Sequence, residues 1–201
     1  MQSKKDDILI AALQVFQEEG LKGARMERIA EVAAVSKRTL YKYFDSKAAL
    51  FEAISAMTLK VLSDMKIPNH DPNDPLAPQL TEALRAYMRQ TMTPDFLTGS
   101  RVLQSEFMRN PEAAQRFNAA YREVDVPLTR FVADAMAAGQ LIPADPDAAT
   151  ARLLALFKSM ILIPAILNSV GTRESEDMDS IAQESVQQFL RQFASPVASD
   201  S

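Results

Sequence analysis

The sequence predicts an all-α protein, and three observations carry that expectation. Only five glycines occur in 201 residues. Apolar residues recur at three- and four-residue spacing along most of the chain, and Asn/Asp/Thr-Pro pairs punctuate it. Proline suits a first helical position because its missing N–H would go unbonded there, and a preceding Asn, Asp or Thr can cap the helix. Asp74-Pro75, Thr93-Pro94, Asn110-Pro111 and Asp145-Pro146 therefore read as helix starts. With the N-terminal segments, the expected total is about nine helices.

In order, Ile8, Leu9, Ala12, Leu13 and Phe16 define a first helix over residues 4–19, with Gly20 as its stop. A second helix runs over residues 25–33. Ser36 and Ser46 are good N-caps for a third and a fourth, the fourth continuing past Met65 on an apolar side of Leu50, Ile54, Leu59 and Leu62. The polar stretch "PNHDPNDP" breaks the chain. Later helices are expected over residues 76–92, 95–109, 111–139, 147–170 and 177–194, and "ASPVASDS" reads as a frayed tail. Pro164 removes a hydrogen bond to the Met160 carbonyl and predicts a bend.

The composition narrows the functional classes. No cysteine is present, which removes disulfides, thiolate catalysis and cysteine-based zinc sites and fits a cytoplasmic protein. The N-terminal segment is spaced rather than continuous in its apolar residues and is not read as a secretory signal. No membrane partner is expected, because the most apolar run, Leu153 to Leu167, is short and holds Lys158 and Pro164. The net charge of −4 conceals an asymmetry: residues 1–50 hold nine Lys/Arg against seven Asp/Glu, and the remainder thirteen against nineteen. A compact basic site on an acidic body is the simplest reading.

That basic balance ends in "SKRTLYKYFDSKAALF", Ser36 to Phe51. Taking about 100° per residue, Leu40 and Phe44 share one face, while Arg38 and Lys42 lie roughly 160° from Leu40, flanked by Thr39 and Tyr41. One side is core and the other is cationic and hydrogen-bonding. A preceding helix, a short turn and a basic helix are the parts of a helix-turn-helix, whose second helix enters the major groove of DNA. Arg and Lys can donate to guanine O6 and N7, Thr39 can touch a base, and tyrosine hydroxyls suit phosphate oxygens. Pattern alone leaves a solvated basic helix open.

The segment "IAEVAAVSKRTLYKYFDSKAALFEAI", Ile29 to Ile54, resembles the DNA-binding module of the TetR family of bacterial transcriptional regulators. The "IA", the "VS", "TLYKYF" and "SKAALF" fall in register. The run from Ser105 to Met160 is similar to the ligand-binding domain of the subgroup near the AcrR and AefR repressors. The resemblance implies a helix-turn-helix DNA-binding domain over residues 1–48, a larger helical ligand-binding and dimerisation domain over 49–194, and a flexible tail over 195–201. It also implies a homodimer on double-stranded operator DNA, released by a small-molecule effector, with no cofactor. Carried over by position, Arg38 and Thr39 read bases, together with Lys37, while Ser36, Tyr41, Lys42, Tyr43 and Lys47 complete the DNA-facing surface. Arg25 stands where the family often has a Ser or Thr cap, and a phosphate contact can offset that loss. Ala34 stands where the family usually has glycine, so a left-handed turn there would cost about 1 kcal/mol.

Beyond residue 50, the sequence offers apolar volume. Met57, Met65, Met88, Met92, Phe96, Phe107, Phe117, Tyr121, Phe157 and Met160 are candidates for an adaptable pocket for a mostly apolar ligand, against the alternative of simple core. Leu156, Met160 and Ile163 on one helix, and Val186, Phe189, Leu190 and Phe193 on the last, are candidates for a dimer interface, against packing within the protomer. His70 with Asp71 and Asp74 lacks the ligand framework of a metal site and reads as a solvated loop histidine. No nucleophile, base and orienter set emerges, so no enzyme is expected. The reading is a ligand-responsive repressor. The alternative is a helical ligand-binding or protein-interaction module whose basic helix docks on an acidic protein.

Overall fold

The computed structural model of the protein describes residues 3–167 and 175–196, excepting the side chains of Ser175 and Glu176. The expected helical stretch 168–170 and residues 197–201 of the expected tail lie outside the described residues. The helices are α1 (Lys4–Gly23), α2 (Met26–Val32), α3 (Lys37–Tyr43), α4 (Lys47–Ser63), α5 (Leu76–Thr91), α6 (Pro94–Phe107), α7 (Pro111–Arg122), α8 (Pro127–Ala137), α9 (Pro146–Leu153), α10 (Ala155–Ile166) and α11 (Ser175–Phe193). The protein is all-α, and among the described residues its sole β feature is an isolated bridge between Leu141 and Ala194. Among the described residues, no single helix is long and apolar enough to cross a bilayer.

Three departures from the expected helices have local causes. Residues 111–139 form two helices, because Pro127 opens α8 after an extended Val126 that makes no side-chain cap; a Val-Pro pair carries no polar signal of a start. The helix continues through Pro164 without a break. The 48° change of direction falls between α9 and α10, at Leu154, whereas Lys158–Leu162 widen into a π-turn just before the proline. The wider turn accommodates a residue that cannot donate and whose ring crowds the preceding carbonyls. Gly20, at φ +69° and ψ 161°, interrupts α1 rather than ending it, and a further turn follows to Gly23.

The chain divides into two compact units, Met1–Val61 with Pro94–Val124, and Leu62–Thr93 with Asp125–Ser201. The first unit is built on Ile8, Ala12 and Phe16 of α1, Ile29 of α2, Leu40 of α3, Leu50 and Ile54 of α4, and Val102 and Leu103 of α6. Phe107 meets Phe51 edge-on at 6.2 Å and Phe117 at 5.1 Å between ring centroids. Arg116 of α7 donates to Glu52 Oε1 of α4 from Nη2 (2.9 Å) and Nε (3.2 Å). Thus α6 and α7 share a core with the helix-turn-helix.

In the second unit, α5 packs on α8 and α11, and α11 also covers α9 and α10. Tyr87 meets Phe157 edge-on at 6.3 Å, and Phe189 stacks on Phe193 at 4.7 Å. His70 is not solvated as expected. Its ring stands edge-on to Phe131 at 5.3 Å and its Nε2 lies 2.6 Å from Gln140 Oε1. The Gln140 amide also donates to the carbonyls of Pro72 and Asp74, so the polar loop has defined partners. At the chain end, the Ser195 N–H donates to the Gln140 carbonyl at 3.1 Å, which ties down the first residue of the expected tail.

Candidate nucleic-acid interface

The reading helix is set by the turn that precedes it. At the end of α2, the Val35 N–H donates to the Ala30 carbonyl and the Ala34 N–H to that of Glu31, both at 3.0 Å. This pair of bonds is a Schellman closure, which requires a left-handed residue at the position after the cap. Ala34 occupies it at φ +51°, the one described non-glycine residue with positive φ. The turn has kept the shape glycine would favour, and alanine bears the steric cost. Ala34→Gly is therefore expected to raise stability by about 1 kcal/mol, seen as a higher urea midpoint at unchanged slope.

Ser36 then caps α3. Its Oγ accepts from the Thr39 N–H at 3.0 Å and lies 2.8 Å from Thr39 Oγ1. These bonds hold Thr39 half-buried with its hydroxyl already engaged. Leu40 and Phe44 are buried, while Lys37, Arg38, Tyr41, Lys42 and Tyr43 are exposed. The helix thus offers two aromatic hydroxyls and three cations on its outer surface. Arg25, exposed at the N-cap of α2, makes no side-chain cap bond. Among the described residues Arg25, Arg38 and Lys42 have no ion-pair partner.

Two lysines are engaged within the protein. Lys47 Nζ donates to the carbonyls of Lys22 (2.9 Å) and Ala24 (2.7 Å), fastening the start of α4 to the segment after the Gly20 break. Lys37 pairs with Glu27 of α2 and its Nζ lies 5.8 Å from the centre of the Tyr41 ring. The hydrogen bond from Lys37 holds the Glu27 carboxyl below its ordinary value, and the same bond raises the pKa of Lys37. Because Glu27 titrates lower in the folded than in the unfolded chain, the pair's stabilisation is present above pH 4.5 and is lost as pH falls through the folded pKa. Glu27→Gln is expected to flatten that acid limb, measured from urea midpoints at about pH 3 and 6.

Sequence reasoning missed Glu27 as a partner of the reading helix. A carboxylate ten residues upstream of Lys37 becomes a neighbour only when the helices cross. It also missed Lys5, whose Nζ lies 5.9 Å from the Phe44 ring centre.

The other candidate sets fare differently. Of the pocket residues, Met57, Phe96, Phe107, Phe117 and Tyr121 belong to the first unit and Met65, Met88, Met92, Phe157 and Met160 to the second. Phe107 and Phe117 pack with Phe51 beneath the helix-turn-helix, while Met65, Met88 and Phe157 are buried. Met57, Tyr121 and Met160 are exposed. Of the interface residues, Val186, Phe189 and Phe193 are buried within the protomer rather than offered to a second copy. The stripe on α11 is spent against α5, α9 and α10. Leu156 and Leu190 are half-buried, and Met160 and Ile163 remain outward, joined by Leu167. No group of three or more His, Cys, Asp or Glu residues that could hold a metal occurs among the described residues.

A capped, cationic helix held by its apolar side on a short turn and a preceding helix defines a helix-turn-helix DNA-binding regulator. The model for bacterial regulatory proteins of the tetR family matches residues 8–54, and that for the C-terminal domain of AefR-like transcriptional repressors matches residues 78–195. The chain belongs to the TetR family of transcriptional regulators. It is 32% identical over 149 residues to the HTH-type transcriptional regulator RutR of Escherichia coli K12, an alignment covering 72% of this chain and 68% of RutR. A TetR family regulator from Pseudomonas syringae pv. tomato DC3000 superimposes with a TM-score of 0.80 at 30% identity, over 96% of this chain and 97% of that one. The flavonoid-responsive regulator FrrA gives 0.72 at 27% identity, over 95% and 97% of the two chains.

Proposed function

We propose that the protein is a homodimeric repressor that reads a near-palindromic operator through α3 and leaves it when a small, mostly apolar effector binds. The observation that carries the reading is the division of α3: Leu40 and Phe44 buried, Arg38, Tyr41 and Lys42 outward. Arg38 reads a base, Thr39 offers its methyl group, and Arg25, Tyr41, Lys42 and Tyr43 grip phosphates. Lys37 joins them when it exchanges Glu27 for DNA. Lys47 acts from behind by holding α4 in place.

Two copies are needed because half-sites are read one helical turn, about 34–36 Å, or a multiple of it apart. The outward Met160, Ile163 and Leu167, with Leu156 beside them on α10, support an interface on that helix. An effector shifts the equilibrium only by binding the non-reading state more tightly. Since α6 and α7 share a core with α3, an effector that displaces them displaces the reading helix. The relative FrrA is described as flavonoid-responsive, which supports an aromatic or otherwise apolar frame.

The test is fluorescence anisotropy of the fragment upstream of the protein's own gene, compared with random DNA over a range of salt. The reading expects a clear preference for that fragment and a steep fall in affinity with salt. Equal affinity for both fragments at moderate salt would rule it out.

A further inference from the structure

Lys158 is out of place. It is half-buried on α10, on a face where its neighbours one turn away are Leu154, Ile161 and Leu162, all buried. Among the described residues, its ammonium has neither a hydrogen bond nor an ion pair. A lysine on an apolar helix face ordinarily stretches its stem along the surface and leaves the charge in water. Here, desolvation of the ammonium itself pushes its pKa down. An uncompensated desolvated charge is costly, and an anion arriving from outside would offset that cost.

Its backbone setting is equally unusual. Lys158 opens the π-turn Lys158–Leu162, and its carbonyl accepts the N–H of Ile163. A π-turn inserts an extra residue and rotates the remainder of the helix by about 100°, and such turns are concentrated at functional sites. Two helices that pack with α10 also carry unmet polar groups. Thr150 of α9 and Ser185 of α11 are buried with no partner for their hydroxyls. Helical hydroxyls elsewhere in the chain satisfy themselves on the carbonyl four residues back: Ser55 on Phe51, Thr58 on Ile54, Thr81 on Ala77 and Thr91 on Tyr87. Thr150 and Ser185 do not take that route, although α11 packs against both α9 and α10. A buried hydroxyl without a partner is rare in native proteins and calls for an explanation.

We propose that Lys158 is the charge anchor of the effector site, and that the effector is an acid: an apolar frame bearing one carboxylate or ionised phenol that pairs with this ammonium. The inference rests on the effector-responsive reading above and gives it a chemical class. The anion replaces the water that Lys158 has lost. Charge-assisted pairing in a poorly solvated setting gives such acids an advantage over neutral isosteres of the same shape.

The experiment uses a panel of straight-chain and aromatic monocarboxylic acids, each matched with its primary amide, and reads the shift in melting temperature and the release of operator DNA in parallel. Wild-type protein is expected to bind the best acid about tenfold more tightly than its amide. Lys158→Met should abolish that preference while melting at or above the wild-type temperature, since a desolvated charge has been removed. Lys158→Arg should retain the preference, which keeps the test decisive even if Lys158→Met folds poorly. Equal binding of acids and amides by wild type, no binding of any acid, or an acid preference that survives in Lys158→Met would each overturn the proposal. Release of operator by amides alone would overturn it while leaving effector control standing; Lys158-dependent acid binding without release would support the site and overturn effector control.

Discussion

Leu40→Ala is expected to lower stability by about 2–5 kcal/mol, the range for truncating a fully buried leucine. Leu40 has no exposed surface and is the only residue of α3 that is fully buried. It joins Ile8, Ile29, Leu50 and Ile54 in one cluster, so its methyl groups are the main apolar link between the reading helix and the rest of its unit. A loss of that size is a large share of the roughly 5–15 kcal/mol that holds a domain together. Chemical denaturation checks it, with Leu40→Met as the control at under about 1.5 kcal/mol. Operator affinity should fall in the alanine variant although Leu40 touches no DNA, because α3 loses its seat.

The second large effect falls on binding with stability untouched. Arg38→Ala is expected to weaken operator binding by about 1–3 kcal/mol, with the loss concentrated at one base pair of each half-site. Arg38 is exposed and has no ion-pair partner among the described residues, so its removal leaves no buried group unpaired and the melting temperature should not move. Lys42→Ala is the contrasting case. It should weaken all sequences alike and reduce the salt slope by about one. Competition binding against single-base operator variants separates the two residues. An Arg38→Ala protein that bound all fragments like wild type would return the basic helix to the alternative role of docking on an acidic protein.

The sequence made the helical architecture and the division of α3 legible because both depend on local signals. Proline at a first turn, serine at a cap and the spacing of Leu40 and Phe44 act within one or two turns of the residues concerned. The cost at Ala34 was legible for the same reason: a Schellman closure needs a left-handed residue whatever the rest of the chain does. The features hidden from the sequence depend on distant partners. The stripe of Val186, Phe189 and Phe193 has the same period whether it faces a second copy or its own α5, α9 and α10, and periodicity carries no address. Lys47 has the same charge whether it meets a phosphate or the carbonyls of Lys22 and Ala24. Phe107 and Phe117 look like pocket residues until α6 and α7 are seen to share the core of the helix-turn-helix. The π-turn before Pro164 is not legible because proline's local rule predicts a kink, and the chain accommodates the ring by widening the helix instead.

On the proposed function, α3 enters the major groove as one of a symmetric pair. Hydroxyl-radical footprinting of the upstream fragment, with wild type and Arg38→Ala side by side, tests it most directly. Two protected patches related by a dyad are expected, their centres about 34–36 Å or a multiple of it apart, with both weakened together in the variant. A single unsymmetric patch, or protection identical in wild type and Arg38→Ala, would contradict it.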